Sequence, residues 1–293
     1  MLDCLIVGGG PAGLLAAIYL GRYRRSVRVI DSGESRAAKI PESHNYPGFA
    51  GIAGSEILQR LRRQAKTYDV QLVNGDVKSL RRQATGFVAS GSGDDTNARL
   101  VLLATGLVDH CPAIEGEPAD CPSKVIRFCP ICDGYEAIDR RVGVLGDSKA
   151  GGKKALFLRT YSKDVSLILS KQPQADDQCQ QLTEKHIRIV GKPERIIAND
   201  RIVTVLTQSG EHHELDALYP ALGCTVRSEL ATSLGAICSE NGNLVVDDHQ
   251  RTAVAGLYAA GDVVTDLHQL SVAFGHAAIA ATHIHNRLPP NPC

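Results

Sequence analysis

The stretch Gly8-Gly9-Gly10-Pro11-Ala12-Gly13 decides the fold of this chain, because of what stands on either side of it. A short apolar segment, Leu2 to Val7, precedes it, and Leu14 to Leu20 follows with the apolar period of a helix. A second apolar segment, Val27 to Ile30, comes next and ends at Asp31. Strand, glycine turn, helix, strand and a closing acid is the order of a dinucleotide-binding βαβ unit.

Each glycine of this turn has its own task in such a unit. Gly8 permits the tight turn, Gly10 lets the backbone approach a pyrophosphate, and Gly13 allows the helix to pack closely on the strand. The helix N-terminus offers N–H groups and a partial positive charge to the phosphates. Asp31 is expected to accept hydrogen bonds from an adenosine ribose. A turn kept only for packing is the less favoured alternative.

A second unit of the same kind lies further along the chain. The pattern predicts a strand over Val142 to Leu145, a turn over Gly146 to Gly151, a helix over Lys153 to Tyr161 and a strand over Val165 to Leu169. The Pro-rich stretch 112–122 is typical of a linker between domains. The fold class is therefore α/β, with two Rossmann-like domains of which the second is inserted into the first.

Other segments of the chain have the patterns of short strands or of helices. A polar loop is predicted at 91–97, and amphipathic or apolar helices are predicted from Gln59 to Tyr68 and from His268 to about His285. The predicted additional strands are Val70–Val73, Gly86–Ser90, Arg99–Leu103, Ile202–Thr207, Leu215–Leu222, Leu244–Val246 and Leu257–Ala259.

Size, charge and hydropathy exclude several classes of protein. A chain of 293 residues suits two domains of moderate size. Lys+Arg and Asp+Glu both total 32, so the net charge indicates neither a nucleic-acid partner nor an anionic membrane. No apolar run approaches the ~20 residues that span a bilayer. Because the N-terminal apolar run lacks a basic start and flows into the glycine turn, we expect a cytoplasmic protein.

The segment Cys129-Pro130-Ile131-Cys132-Asp133-Gly134 carries the chemistry. Two cysteines separated by two residues can close into a readily reduced disulfide, and only a thiolate attacks a disulfide. Asp133 is placed to protonate a leaving thiolate or to accept its proton, although a role as a turn residue is the alternative. Cys111 and Cys121 are isolated, so no metal site is predicted.

Together these motifs resemble the low-molecular-weight thioredoxin reductases. The order of the Gly8–Gly13 turn, Asn45-Tyr46-Pro47-Gly48-Phe49, Ala104-Thr105-Gly106, the cysteine segment and Ala260-Gly261-Asp262-Val263 is similar to the order in that family. The resemblance implies an FAD domain over 1–112 and 240–293, an inserted domain over 113–239 that carries the dithiol, and a homodimer.

The resemblance also implies residue roles. Cys129 attacks the substrate disulfide, and Cys132 resolves the mixed disulfide and lies closer to the flavin. The substrate is a thioredoxin-like protein or a small disulfide or dithiol. The residues expected to contact FAD are Gly8, Gly10, Pro11, Ala12, Gly13, Asp31, Asn45, Thr105, Gly106, Gly261, Asp262 and Gln269.

The second dinucleotide turn departs from the family pattern. Ser148 stands where the family has its middle glycine, and a Cβ there crowds the approach to a pyrophosphate. The segment 170–177 holds one lysine and two acids where the family has a basic cluster for the 2′-phosphate. Lys153 and Lys154 replace two glutamates. We therefore favour an electron donor other than NADPH, with a ferredoxin as the candidate, and weakly bound NADPH is the alternative. The lysines near 149–154 could bind an anion or dock an acidic protein partner, and an ordinary solvated surface is an equally favoured interpretation of them.

Two other functions remain open at this point. The cysteine pair could oxidise a small dithiol while the flavin passes electrons to oxygen, which would make the protein a dithiol oxidase. It could also act as a non-catalytic flavin-binding sensor whose disulfide switches a partner interaction. The intact Cys129–Asp133 segment favours turnover over mere binding, and the reductase is the preferred hypothesis.

Overall fold

The computed structural model of the protein describes residues 1–115, 124–171 and 177–291. By their contacts the residues divide into two compact units. The first unit consists of Met1–Glu42, Tyr46–Val108 and Thr225–Cys293, and the second of Ser43–Asn45 and Asp109–Cys224.

The strands of the described residues are β1 (Leu2–Val7), β2 (Val27–Asp31), β3 (Gln71–Asn74), β4 (Val77–Gln83), β5 (Gly86–Gly91), β6 (Gly93–Leu103), β7 (Leu107–Asp109), β8 (Val142–Gly146), β9 (Val165–Leu169), β10 (Arg188–Val190), β11 (Pro193–Ala198), β12 (Val203–Thr207), β13 (His212–Leu215), β14 (Ala217–Ala221), β15 (Cys224–Val226) and β16 (Leu257–Ala259).

The α-helices of the same residues are α1 (Pro11–Arg22), α2 (Gly54–Lys66), α3 (Pro130–Asp133), α4 (Ala150–Leu158), α5 (Asp177–Glu184), α6 (Glu229–Thr232) and α7 (Leu270–Arg287). Short 3₁₀ helices cover Arg36–Lys39 and Tyr135–Ala137.

The first unit is built on a sheet of order β3-β2-β1-β6-β5-β4, with β16 also paired to β6. Strands β3, β2, β1, β6 and β16 run parallel, and β4 and β5 extend the sheet as antiparallel strands. Helices α1, α2 and α7 cover one face and bury a core that includes Leu14, Leu58 and Ile284. The strand order reverses between β1 and β6, and ligands of such sheets bind at the carboxyl ends of the strands at this switch point.

The second unit holds a parallel sheet of order β10-β9-β8-β14 and a separate antiparallel sheet of order β11-β12-β13. Every residue of β8 and β9 is buried. Continuous apolar strands of this kind belong to parallel sheets that are covered on both faces. The predicted α/β class with two Rossmann-like units is therefore confirmed.

The two strands at the crossings between the units, β7 and β15, pair with each other in a ribbon. The contact division lies at 108/109 and 224/225, whereas the sequence placed the boundaries at 112/113 and 239/240. Residues 225–239 group with the first unit because Ala231 and Ala236 pack in the same core as Leu5 and Val7. The sequence of residues 225–239 does not show which core these alanines join, because the partner residues are distant along the chain.

Two local predictions are wrong. The stretch 91–97 is not a polar loop, because β6 begins at Gly93 and its residues Thr96 and Asn97 pair with Ala89 and Val88 of β5. Thr96 is buried, and its pairing overrides the polar composition. Leu244–Val246 is not a strand either, since Leu244 makes only an isolated bridge to Cys238.

The sequence pattern did not predict strand β4. Its buried residues, Val77 and Leu80, are three positions apart, and a register shift lies between Val77 and Ser79. A bulge of this kind breaks the alternation by which a strand is recognised in sequence.

None of the helices within 1–115, 124–171 and 177–291 combines the length and the apolar character that crossing a membrane requires.

Candidate active site

The glycine turn of the first unit is held by backbone contacts that leave no room for a side chain at two positions. Gly8 has φ +104°, and a Cβ on it would collide with the carbonyl oxygen of Ala104 at the end of β6. A Cβ on Gly13 would collide with the carbonyl oxygen of Gly8. The turn and the first residues of α1 are thereby fixed at the carboxyl ends of β1 and β6.

The third glycine faces a different requirement. A Cβ on Gly10 would meet the Ser35 hydroxyl at 3.2 Å and no other described atom within 4 Å, so protein packing alone does not demand glycine there. Gly10 is the N-cap of α1 in extended conformation and Pro11 follows it; no described side chain caps this helix end. A helix N-terminus of this form suits a phosphate, so these residues fit the pyrophosphate of FAD.

Asp31 lies at the end of β2, as expected, and has protein partners there. Its Oδ2 accepts a hydrogen bond from Arg62 Nη2 at 2.8 Å, and its Oδ1 accepts one from the Gly33 N–H at 3.1 Å. A Cβ on Gly9 would collide with the Asp31 carboxylate. Sequence reasoning missed Gly9 and Arg62, although the triple glycine was a usable signal for the first.

The Gly261-Asp262 pair approaches the start of α1. Gly261 has φ +83°, and a Cβ on it would lie 2.9 Å from the Ala12 Cβ. Asp262 Oδ2 is 3.6 Å from Arg36 Nη1. The Nδ1 of His276 is buried without a partner among the described residues, and burial lowers the pKa of this imidazole. An acid, a guanidinium and an orphaned ring nitrogen fit the polar groups of a dinucleotide.

The remaining predicted flavin contacts have structural tasks of their own. Thr105 Oγ1 donates to the Arg227 carbonyl at 2.6 Å, and the Gly106 carbonyl accepts from the Arg227 N–H at 2.9 Å. Gln269 is the N-cap of α7. Asn45 lies within hydrogen-bond distance of Ser43, 3.4 Å between side-chain oxygens, and its contacts group it with the second unit.

Cys129 and Cys132 form a disulfide in the second unit, with 5.3 Å between their Cα atoms. Cys129 is the N-cap of α3, Pro130 begins the helix, and the Cys132 N–H donates to Cys129 Sγ at 3.1 Å. Both cysteines are half-buried. A backbone N–H directed at Sγ favours the thiolate of Cys129 once the disulfide is reduced.

Asp133 stands in an environment that the sequence did not reveal. The Tyr219 hydroxyl donates to its Oδ1 at 2.8 Å, and Arg127 Nη1 is 3.9 Å from its Oδ2. Burial raises the pKa of Asp133 to about 6, against the opposing influence of Tyr219 and Arg127. A carboxyl with a pKa near 6 can exchange a proton at neutral pH.

Lys154 does not belong to a surface open to a partner, which corrects the basic docking surface expected near 149–154. Its Nζ donates to the carbonyl of Phe128 at 3.0 Å and to that of Pro220 at 2.7 Å. The side chain is half-buried, whereas Lys153 is exposed. Lys154 therefore links Phe128, the residue before Cys129, to the end of β14, because its single ammonium group binds the carbonyls of Phe128 and Pro220.

The second glycine turn keeps the close glycine packing of the first turn but has a different residue at its middle position. Gly146 and Gly151 touch each other as Gly8 and Gly13 do: a Cβ on Gly151 would lie 3.2 Å from Gly146 C. Ser148 occupies the position equivalent to Gly10, and Lys149 is the N-cap of α4. The segment 170–177, in which the basic cluster of the family is expected to be missing, lies mostly (residues 172–176) outside the described residues.

Two dinucleotide-type units, one of which carries an exchangeable dithiol, are the construction of a flavoprotein disulfide oxidoreductase. Residues 2–280 match the model of the pyridine nucleotide-disulphide oxidoreductase family, and the chain belongs to that family.

Within this family, the chain is similar to thioredoxin reductases and to several solved structures. The chain is 25% identical over 296 residues to the thioredoxin reductase of Bacillus subtilis, covering 96% of this chain and 93% of the relative. It is 29% identical to that of Mycolicibacterium smegmatis, covering 96% and 94%. The crystal structure of HlmI superposes with a TM-score of 0.90 at 28% identity, over 97% of this chain and 92% of that one. The resemblance to thioredoxin reductases and the assignment as an enzyme are confirmed.

Proposed function

We propose that this protein is an FAD-dependent dithiol/disulfide oxidoreductase that reduces a disulfide substrate, a thioredoxin-like protein or a small disulfide, through the Cys129/Cys132 pair. The observation that carries the proposal is the disulfide at the start of α3, followed directly by an acid whose pKa is about 6. Such a pair can exchange both electrons and protons with a second disulfide.

FAD, when bound, supplies a reservoir of two electrons for the dithiol. Apart from Asn45, the residues that would hold it belong to the first unit. Gly8, Gly10, Pro11, Ala12 and Gly13 would receive the pyrophosphate. The polar contacts are assigned to Asp31, Asn45, Thr105, Gly106, Gly261, Asp262 and Gln269.

The exchange follows from the order of the two cysteines. The Cys129 thiolate attacks the substrate disulfide, forming a mixed disulfide and releasing one substrate thiolate, which takes a proton from Asp133. The Cys132 thiol gives its proton to the Asp133 carboxylate and attacks Cys129 Sγ. The second substrate thiolate leaves, and the Cys129–Cys132 disulfide is restored. Two electrons pass to the substrate.

The electron donor proposed is a protein of the ferredoxin class rather than NADPH. Ser148 at the position equivalent to Gly10 supports this, because its Cβ crowds a pyrophosphate. With Lys154 bound to two carbonyls, Lys149 and Lys153 remain as the basic residues of the proposed docking surface. Two one-electron transfers would be needed for each disulfide reduced. We also propose that the protein is cytoplasmic and forms a homodimer. Sedimentation of the purified flavoprotein measures its mass and so tests the homodimer.

The decisive experiment follows flavin bleaching without oxygen. The flavoprotein is offered NADPH, NADH, reduced ferredoxin and a small dithiol in separate reactions. Bleaching by ferredoxin, followed by recovery on adding a disulfide, is expected. Rapid bleaching by NADPH would refute the argument from Ser148.

Two other outcomes would assign a different function. Bleaching by the dithiol with fast reoxidation in air would make the protein a dithiol oxidase. No bleaching by any donor would indicate a sensor.

A further inference from the structure

Tyr219 is a large side chain buried completely, and nothing in its apolar strand marks it as functional. Its hydroxyl donates to Asp133 Oδ1 at 2.8 Å and lies 3.3 Å from the Asp133 carbonyl oxygen. A buried phenol oxygen requires a hydrogen-bond partner, and the Asp133 carboxyl accepts the hydrogen of this one.

The other charged groups around Asp133 come from three neighbouring segments. Arg127 precedes the cysteines, and its Nη1 is 3.9 Å from Asp133 Oδ2. Glu136 follows Asp133, and its charge disfavours a second carboxylate, whereas the Lys154 ammonium on α4 favours one. Among these groups Tyr219 contributes most to lowering the pKa of Asp133, which burial raises. The phenol therefore stabilises the ionised carboxyl.

Hydrogen bonds from two side chains hold Asp133 and the dithiol segment in place. Tyr219 ties β14 to Asp133, and Lys154 ties Pro220 of the same strand to Phe128, the residue before Cys129. The dithiol segment is thus attached to β14 at Phe128, which precedes Cys129, and at Asp133, the last residue of α3. A carboxyl held in this way keeps one orientation while its proton leaves and returns.

The geometry points to Tyr219 as a positioning residue for proton transfer in thiol–disulfide exchange, acting through the carboxyl of Asp133. This inference rests on the role of Asp133 in the proposed function. When Asp133 gives its proton to the departing substrate thiolate, the Tyr219 O–H donates to the carboxylate that remains. When Asp133 regains a proton from the Cys132 thiol, that support is needed less. No atom is gained or lost by Tyr219.

The test uses the reduced flavoprotein, single turnovers and two disulfides. Dihydroxyethyl disulfide releases a basic thiolate that needs a proton, whereas dithiobis-nitrobenzoate releases an acidic one that does not. Rates are recorded against pH for the wild type, Tyr219→Phe and Asp133→Asn. Tyr258→Phe is the matched control, because Tyr258 is also buried and its hydroxyl contacts His283 Nδ1 at 2.9 Å in the first unit.

With dihydroxyethyl disulfide, we expect a wild-type inflection near the pKa of about 6 of Asp133. Tyr219→Phe should move it upward by about one pH unit, since a hydrogen bond to the carboxylate is lost. Tyr258→Phe should leave it in place. With dithiobis-nitrobenzoate, Tyr219→Phe should react as the wild type does. An unmoved inflection in Tyr219→Phe overturns the inference.

The two variants distinguish the role of Asp133 from that of Tyr219. If Asp133→Asn keeps the wild-type inflection, the proposed role of Asp133 is wrong. If Asp133→Asn abolishes the inflection and Tyr219→Phe does not move it, only the inference on Tyr219 is wrong. Should Tyr219→Phe not fold, 3-fluorotyrosine placed at position 219 keeps the shape and donates more strongly. It should move the inflection downward, and an unchanged or raised inflection refutes the inference.

Discussion

Replacing Lys154 by methionine tests whether the dithiol segment is fastened to β14. Methionine keeps the apolar stem and the helix preference of lysine and removes only the ammonium group. The two carbonyls that it binds, of Phe128 and Pro220, then lose their charged donor. Lys153→Met is the control, because the neighbouring lysine is exposed on the same helix.

The expected loss of stability comes from the two hydrogen bonds. A hydrogen bond from a charged donor contributes about 1.5–3 kcal/mol, so two contribute about 3–6 kcal/mol before compensation. Because the Lys154 side chain is half-buried, water can reach part of this region and restore some of the loss. We expect the free energy of unfolding to fall by about 2–4 kcal/mol in Lys154→Met and to change by less than about 0.5 kcal/mol in Lys153→Met.

The measurement is equilibrium unfolding in urea with saturating FAD, monitored by circular dichroism. The two variants are compared with the same dependence of the unfolding free energy on urea concentration. A Lys154→Met variant as stable as Lys153→Met would refute the reasoning, because it would mean that neither bond contributes to the fold.

Three further predictions concern the glycine turn of the first unit and the dithiol segment of the second. Gly13→Ala should yield protein that retains little flavin, because its Cβ would collide with the Gly8 carbonyl, whereas Gly191→Ala, with open space around it, should remain yellow; flavin absorbance per protein decides. Cys132→Ser should keep FAD and lose disulfide turnover, and Cys238→Ser should keep both; turnover by Cys132→Ser would exclude the dithiol. Asp133 has a folded pKa of about 6 against an ordinary 3.8, so ionising it costs folding stability as pH rises between these values. The free energy of unfolding of Asp133→Asn, measured relative to the wild type, should therefore be higher at pH 8 than at pH 4, by at most about 3 kcal/mol. Urea titrations of both proteins at the two pH values measure this difference, and a difference that does not change with pH would contradict the raised pKa.

The glycine turn, its flanking strands and the dithiol could be predicted because each depends on neighbours in sequence. Gly8 and Gly13 are five positions apart and meet because a strand, a tight turn and a helix bring them together in every such unit. The strand β9 was predicted with the bounds that the structure has, since a fully buried parallel strand is a continuous apolar run.

The contacts that tune the site could not be predicted, because their partners are distant in sequence and chemically ordinary. Tyr219 reaches Asp133 across 86 positions, and Lys154 reaches Pro220 across 66. A tyrosine in an apolar strand has the pattern of any core residue, and a lysine near the start of a helix has the pattern of a surface residue.

The sequence by itself determined the class of the fold, the place of the dinucleotide turn and the two cysteines that form the disulfide. Those properties follow from local backbone geometry and from chemistry that only cysteine supplies. The tertiary structure alone decided that Asp133 is buried against a phenol and that the Lys154 ammonium binds the carbonyls of Phe128 and Pro220. Proton affinity depends on desolvation and on charges brought close by packing, and no spacing along the chain encodes either.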